Sequence, residues 1–389
     1  MDCQRDLFTL DPTDAYLNGA SRSPQLRAVA AAARHALHWR ETNSGMPIPE
    51  FFAPVERVRA EFSRLVGAGD PERIALIPAA SYGLATVARN LPLATGQNIV
   101  VAAEQFPSNY YVWERRCREA GAELRVVARP APGEGRSWSH RVEAAVDERT
   151  AAVAIAQVHW ADGTPFDLVA LRAATDRAGA WLVVDGTQSV GALPLDVAAL
   201  RPDALIVAGY KWLMGPYGGG YAYYGPRMDG GTPLEENWIN RAGSEDFRRL
   251  VDYRDDYRPK AGRYCVGEHS NFLMVPMQEA ALQQVNAWGP ANVRDYCAGL
   301  WAGVADRVAE LNLLGSRGPA PHLVGLRLPD GLDATKLTAF LTRHRITVSY
   351  RGDSLRVSPN VYNRGDELAL LLDGIEAAMP NSHLSYAPN

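Results

Sequence analysis

The feature that most constrains this chain lies between residues 74 and 224, where short β-rich apolar runs alternate with longer stretches of helical spacing. That alternation predicts an α/β architecture: a parallel strand needs a crossover connection and buries both of its faces, so helices must cover the sheet. Seven strands are read, at 74–78, 98–103, 123–128, 151–158, 181–185, 203–208 and 219–224, with surface helices at 104–120, 139–146 and 167–178. Sheets of this kind bind ligands where strand ends meet helix N-termini, so residues just past the strands become the candidates. A polar segment rich in Arg and Asp, 229–263, reads as surface structure or a subunit contact. Helices are expected at 271–287 and 292–311. The remainder reads as strand 322–328, helix 333–344, strands 346–350 and 355–358 and helix 366–379, a small α+β unit with a frayed tail at 381–389. The expected division is a large domain over 20–265 and a small one built from 1–19 and 266–389.

Composition narrows the partners. With 389 residues, 47% of them hydrophobic, the chain can bury a sizeable core. Forty basic against forty-four acidic residues give a net charge of -4, so no basic field invites nucleic acid or an anionic membrane. Cys3, Cys117, Cys265 and Cys297 form no CxxC pair, which argues against a zinc knuckle, a redox motif or a disulfide framework. No metal site is expected, and a reducing cytoplasm fits. No stretch approaches the roughly 18 apolar residues that a membrane span requires.

Only Lys211, Lys260 and Lys336 are lysine among the forty basic residues. A lysine that persists in an arginine-biased chain draws attention, because an amine can lose its proton near neutral pH and attack a carbonyl carbon. Lys211 follows a buried-type strand in Ala208-Gly-Tyr210-Lys211-Trp-Leu-Met-Gly-Pro, with three glycines at 218–220 leading into the next strand. Apolar surroundings favour its free amine and hence Schiff-base chemistry with an aldehyde; the plain alternative is a loop lysine whose charge reaches solvent. Asp185 ends the hydrophobic run Trp181-Leu-Val-Val-Asp185. A buried carboxylate there is costly unless it meets a cation, and a pyridinium nitrogen is one such partner. The alternatives are a helix N-cap, or a metal-binding aspartate of a nucleotide hydrolase, which the lack of a GxxxxGK loop leaves unsupported.

Taken in order and spacing, Val184-Asp185-Gly-Thr-Gln188, Gly209-Tyr210-Lys211-Trp-Leu-Met-Gly-Pro and Leu355-Arg356-Val-Ser-Pro-Asn resemble the fold-type I pyridoxal 5'-phosphate (PLP) enzymes of the class V aminotransferase family. That family includes cysteine desulfurases, kynureninases and isopenicillin N epimerases. The resemblance implies that Lys211 holds PLP as a Schiff base and later moves the substrate's proton, that Asp185 pairs with the ring nitrogen and that Gln188 approaches the phenolic oxygen. Ala80 and Ser81 would offer backbone N–H groups and a hydroxyl to the phosphate at a helix N-terminus, a serine cap being the alternative. Tyr210 resembles a kynureninase residue that reaches the phosphate. Phe106, in Glu104-Gln-Phe106-Pro-Ser-Asn109, is the stacking candidate or else a core phenylalanine. His159 and Trp160 would lie beside the ring or the substrate, though a packed, hydrogen-bonded histidine has the same sequence appearance. Trp238, Ser270 and Asn271 resemble segments that reach a partner's phosphate in a homodimer with shared active sites. Arg356 would grip the substrate carboxylate, or else be a surface ion-pairing arginine, and Asn18 belongs to a segment that closes over the substrate.

The fold does not choose the reaction. A persulfide-forming desulfurase needs a nucleophilic cysteine on a loop shortly before the carboxylate arginine, and there is none between Leu326 and Arg356. On that ground desulfurase activity is disfavoured, and the expectation is a β-lyase acting on an α-amino acid, either a C–S lyase on a cysteine S-conjugate or a kynureninase-like enzyme. Decarboxylation coupled to oxidative deamination, as in related enzymes of antibiotic pathways, epimerisation and transamination are the alternatives. A non-catalytic protein on this fold is disfavoured by the retention of Lys211 and Asp185, and a serine hydrolase by the lack of a GxSxG elbow.

Overall fold

The computed structural model describes residues 1–43, 45–131, 134, 137–314, 318–352 and 354–380; the tail expected at 381–389 lies outside the described residues. The chain forms two compact units, one of Gln25–Val158 with Phe166–Pro290, the other of Met1–Pro24, His159–Pro165 and Ala291–Asn389.

The larger unit is built on a seven-stranded sheet. Its strands are β1 (Ile74–Ile77), β2 (Asn98–Ala102), β3 (Glu123–Val127), β4 (Thr150–Ala156), β5 (Trp181–Asp185), β6 (Ala204–Ala208) and β7 (Gly220–Tyr224). The spatial order is β1-β7-β6-β5-β4-β2-β3. β3, β2, β4, β5 and β6 are parallel neighbours, whereas β7 runs antiparallel to both β6 and β1. Every residue of β1, β2 and β4 to β7 is buried, as continuous apolar runs covered on both faces must be. β3 is the exception. It lies at an edge, and Arg125 there ion-pairs with Glu123 and Asp147, which blunts the exposed strand with charge. The helix Ala80–Asn90 lies close on the sheet because Gly83 has no side chain; a Cβ there would stand 2.9 Å from Ile206 Cγ2 and Ile77 Cδ1. Two helices to which the sequence reading gave no element, Arg27–Thr42 and Ala53–Leu65, pack against Met274–Trp288, and Phe62 stacks on Tyr221 of β7 with ring centroids 4.6 Å apart.

The smaller unit holds an antiparallel three-stranded sheet of β8 (Val324–Arg327), β9 (Ser349–Arg351) and β10 (Ser354–Val357), with β10 in the centre. Leu17, Leu326, Leu337, Leu355, Leu371 and Ile375 share its core. Two expectations are corrected here. The single helix at 292–311 is two, Pro290–Ala302 and Ala305–Glu310, because the chain breaks around Gly303 and Val304. The single strand at 346–350 also divides: Ile346–Thr347 pairs in parallel with Ala15–Tyr16, after which β9 turns to β10. Among the described residues, no helix is long and apolar enough to cross a membrane.

Candidate active site

Since only β7 is reversed between β6 and β1, the strands β1, β2, β4, β5 and β6 point the same way and their carboxyl ends share one edge of the sheet. That edge collects the candidates of the larger unit. Ala80 and Ser81 open the helix after β1, Phe106 precedes the helix Ser108–Ala120 after β2, Asp185 is the last residue of β5, and Lys211 follows the end of β6. Lys211 is buried, with its Nζ 5.5 Å from the centroid of the Phe106 ring and 5.7 Å from that of Tyr210. Phe106 is 40% exposed, so it is not a core phenylalanine. Tyr210 packs on the exposed Tyr217 at 4.5 Å, and burial raises its phenol above the ordinary range.

Asp185 is buried and makes no ion pair within 4 Å among the described residues; its Oδ1 accepts the backbone N–H of Thr187 at 2.9 Å. Burial raises its carboxyl above the usual value, against the opposing pull of the Thr187 hydrogen bonds and the Lys211 charge. Turns rather than a helix follow it, which removes the N-cap alternative. Thr187 was missed in the sequence, although an acceptor two residues ahead of a small hydroxyl residue is an Asx-turn signal. The Thr187 hydroxyl also accepts from Ala208 N–H at 3.1 Å, tying β5's end to β6's. Gln188 is buried and its Oε1 accepts Trp212 Nε1–H at 2.9 Å, a contact between two loops that no local pattern announces. Ser81 is exposed in the first turn of its helix while Ala79 holds the cap position, so the serine-cap alternative also drops out.

The remaining candidates of this unit make contacts of their own. Trp238 joins an aromatic cluster with Phe51 and Phe247, at 6.3 and 5.5 Å. Ser270 is buried beside His269, whose pKa burial lowers to about 4. Asn271 is exposed and its Oδ1 accepts from Met274 N–H at 2.9 Å, at the start of Met274–Trp288.

In the smaller unit Arg356 is 1% exposed and has no acidic partner among the described residues, so it is no surface ion-pairing arginine. Its Nε and two Nη atoms donate to neutral oxygens: Ser349 Oγ at 3.2 Å, the Trp160 carbonyl at 2.9 Å and Ser21 Oγ at 2.6 Å. Burial, and then the neighbouring Arg351 charge, lower its pKa to about 9. Asn18 Oδ1 accepts from Ser21 Oγ at 2.8 Å, which links it to the same group. His159 is wholly buried, with Nδ1 3.3 Å from Asp162 Oδ1. Ser21 and Ser349 were missed, because a serine that serves a distant arginine has no local signature.

Residues 15–356 match the aminotransferase class-V family. The chain belongs to that family. Isopenicillin N epimerase of Streptomyces clavuligerus is 27% identical over 391 residues, covering 96% of this chain and 97% of the relative. A cysteine desulfurase of Cronobacter sakazakii is 32% identical over 272 residues, covering 69% of this chain and 65% of that protein. Among solved structures, the cysteine desulfurase CsdA of Escherichia coli superposes with a TM-score of 0.80 at 18% identity, covering 96% and 97% of the two chains, a likeness of fold. The identity with a cysteine desulfurase corrects one expectation: the sequence reading preferred a β-lyase and disfavoured the desulfurase, the activity carried by that relative. That reading let one missing loop cysteine outweigh the likeness of the rest of the chain.

As a member of this family the protein is a PLP-dependent enzyme. The donor set fits that cofactor: a buried amine, a buried carboxylate with no ion pair among the described residues, an exposed serine at a helix N-terminus and an aromatic face share one sheet edge.

Proposed function

We propose that this chain is a cysteine-desulfurase-type enzyme that removes sulfur from a cysteine-class amino acid and leaves alanine. The observation that carries the reading is the 32% identity with a cysteine desulfurase over 272 residues. When bound, PLP supplies an electron sink for the negative charge that develops on the substrate's Cα. Lys211, which is buried, holds the cofactor through Nζ and later moves the proton at Cα. Asp185, kept from water and oriented by Thr187, is the anion for the ring nitrogen. Ser81, with Ala80 beside it and Tyr210 adding its hydroxyl, binds the phosphate, Phe106 stacks on the ring, and Gln188 serves the phenolic oxygen. Arg356 binds the substrate carboxylate, and its three neutral partners fix the fork while leaving its charge for the ligand. Asn18 and Trp160 line the substrate side, His159 being the packed, hydrogen-bonded histidine behind them, and in a cytoplasmic homodimer Trp238, Ser270 and Asn271 serve the partner's phosphate.

No cysteine lies between Leu326 and Arg356, so the sulfur acceptor is an external thiol. The substrate C–S bond breaks, an S–S bond to the acceptor forms, and the acceptor's proton ends on the former Cβ as the third hydrogen of the alanine methyl group. Incubating the PLP-loaded protein with cysteine and dithiothreitol should release sulfide and alanine in equal amounts, and Lys211→Ala should abolish both. Pyruvate and ammonia in place of alanine would overturn the reading.

A further inference from the structure

Arg356 is not the only cation of the smaller unit that lacks an anion. Arg351 makes no ion pair among the described residues, its Nε is buried without a hydrogen-bond partner, and its one hydrogen bond among them is from Nη1 to the carbonyl of Tyr350. The two arginines share a face. Ser349 pairs with Arg356 and Arg351 with Ser354 across the β9–β10 hairpin, and side chains two apart on a strand project to the same side. Trp160 lies between them in its contacts: its carbonyl accepts from Arg356, and the Arg351 guanidinium stands 5.6 Å from its ring centroid. Among the described residues, Asp162 comes close by backbone: its Cα and Cβ crowd Gly325, the β8 residue paired with Arg356. Asp162 is committed to His159 and to the N–H and hydroxyl of Thr164. Among the described residues the two guanidinium groups thus meet only neutral acceptors, a repulsive arrangement that a ligand carrying two negative groups would relieve.

We propose that Arg351 is a specificity-determining residue that selects amino-acid substrates whose side chain carries a second oxyanion, Arg356 taking the α-carboxylate. The inference rests only on the reading that the substrate is an amino acid, not on its being cysteine, whose side chain carries no second oxyanion and leaves Arg351 unmatched. The fork of Arg351 suits a planar carboxylate, and the Trp160 ring holds the guanidinium plane in place.

The test is calorimetric titration of the PLP-loaded protein with succinate, glutarate and adipate, against butyrate and valerate as monocarboxylate controls. At least one dicarboxylate should bind about tenfold more tightly than the controls, the worth of one charge-assisted hydrogen-bond pair. Arg351→Gln should bring that dicarboxylate to the monocarboxylate level, and Arg351→Lys, which keeps the charge without the fork, should retain part of the preference. Circular dichroism of both variants establishes that they fold. Equal affinity for the two classes, no measurable binding of either, or a preference that survives Arg351→Gln would overturn the proposal. A dicarboxylate preference in a protein that makes no alanine from cysteine would sink the desulfurase reading and leave this one standing.

Discussion

Asp185 in the larger unit and Arg356 in the smaller unit each bury a charge of opposite sign, and neither meets a counter-ion among the described residues. They are held differently. The anion sits at a strand end and is oriented by Thr187, two residues on, so its position follows from the local chain. The cation sits in the central strand of a small sheet and is fixed by Ser21, Trp160 and Ser349, far apart in sequence. A buried charge without its partner costs stability, so both sites keep that cost for a ligand to offset: one is ready for a cation, the other for an anion.

Asp185→Asn breaks the comparison most severely. Turnover should fall by a factor on the order of 10²–10³, the scale seen when one preorganised electrostatic group is removed from an active site. The apoprotein should behave in the opposite sense. Because burial raises Asp185 above the ordinary carboxylate value, its contribution to stability is present in full below that value and is lost as the pH rises through the raised one. The asparagine variant escapes that loss, so its apo Tm at neutral pH should exceed the wild type's by about 2 °C. A lower Tm at neutral pH would show that the carboxylate is structural.

Arg356→Gln sharpens the other side. It should raise KM by about thirtyfold, the worth of one bidentate carboxylate contact, while the cofactor's absorbance is retained. Loss of the absorbance together with binding would mean that Arg356 serves the fold. The smallest effect should come from Phe106→Leu. Phe106 is 40% exposed, so Tm should stay within 1 °C or so, and cofactor retention on dialysis should weaken about threefold, as for the loss of a single aromatic stacking contact.

The same contrast governs what was legible in the chain. β5 matches its expected bounds, and the other strands of the large sheet lie within a residue or two of theirs; for all but the edge strand β3, continuous burial writes an apolar run into the sequence. Lys211 and Asp185 stood out for a related reason: polar groups at the ends of such runs are conspicuous. The pairing of Ala15–Tyr16 with Ile346–Thr347 could not be read, since two-residue strands so far apart carry no periodicity. Nor could the partners of Arg356 be read, which are two serine hydroxyls and a backbone carbonyl.

The sequence by itself determined the parallel α/β scaffold, the family and the two chemical groups at its strand ends, because burial and chain connectivity act locally along the polypeptide. Only the tertiary structure decided that Arg356 is buried without an acid, that Arg351 stands on the same strand face and that Gln188 is held by Trp212. Those facts depend on which side chains meet across distant segments, and in a chain with so many arginines the residue type alone cannot say which guanidinium lacks a counter-ion.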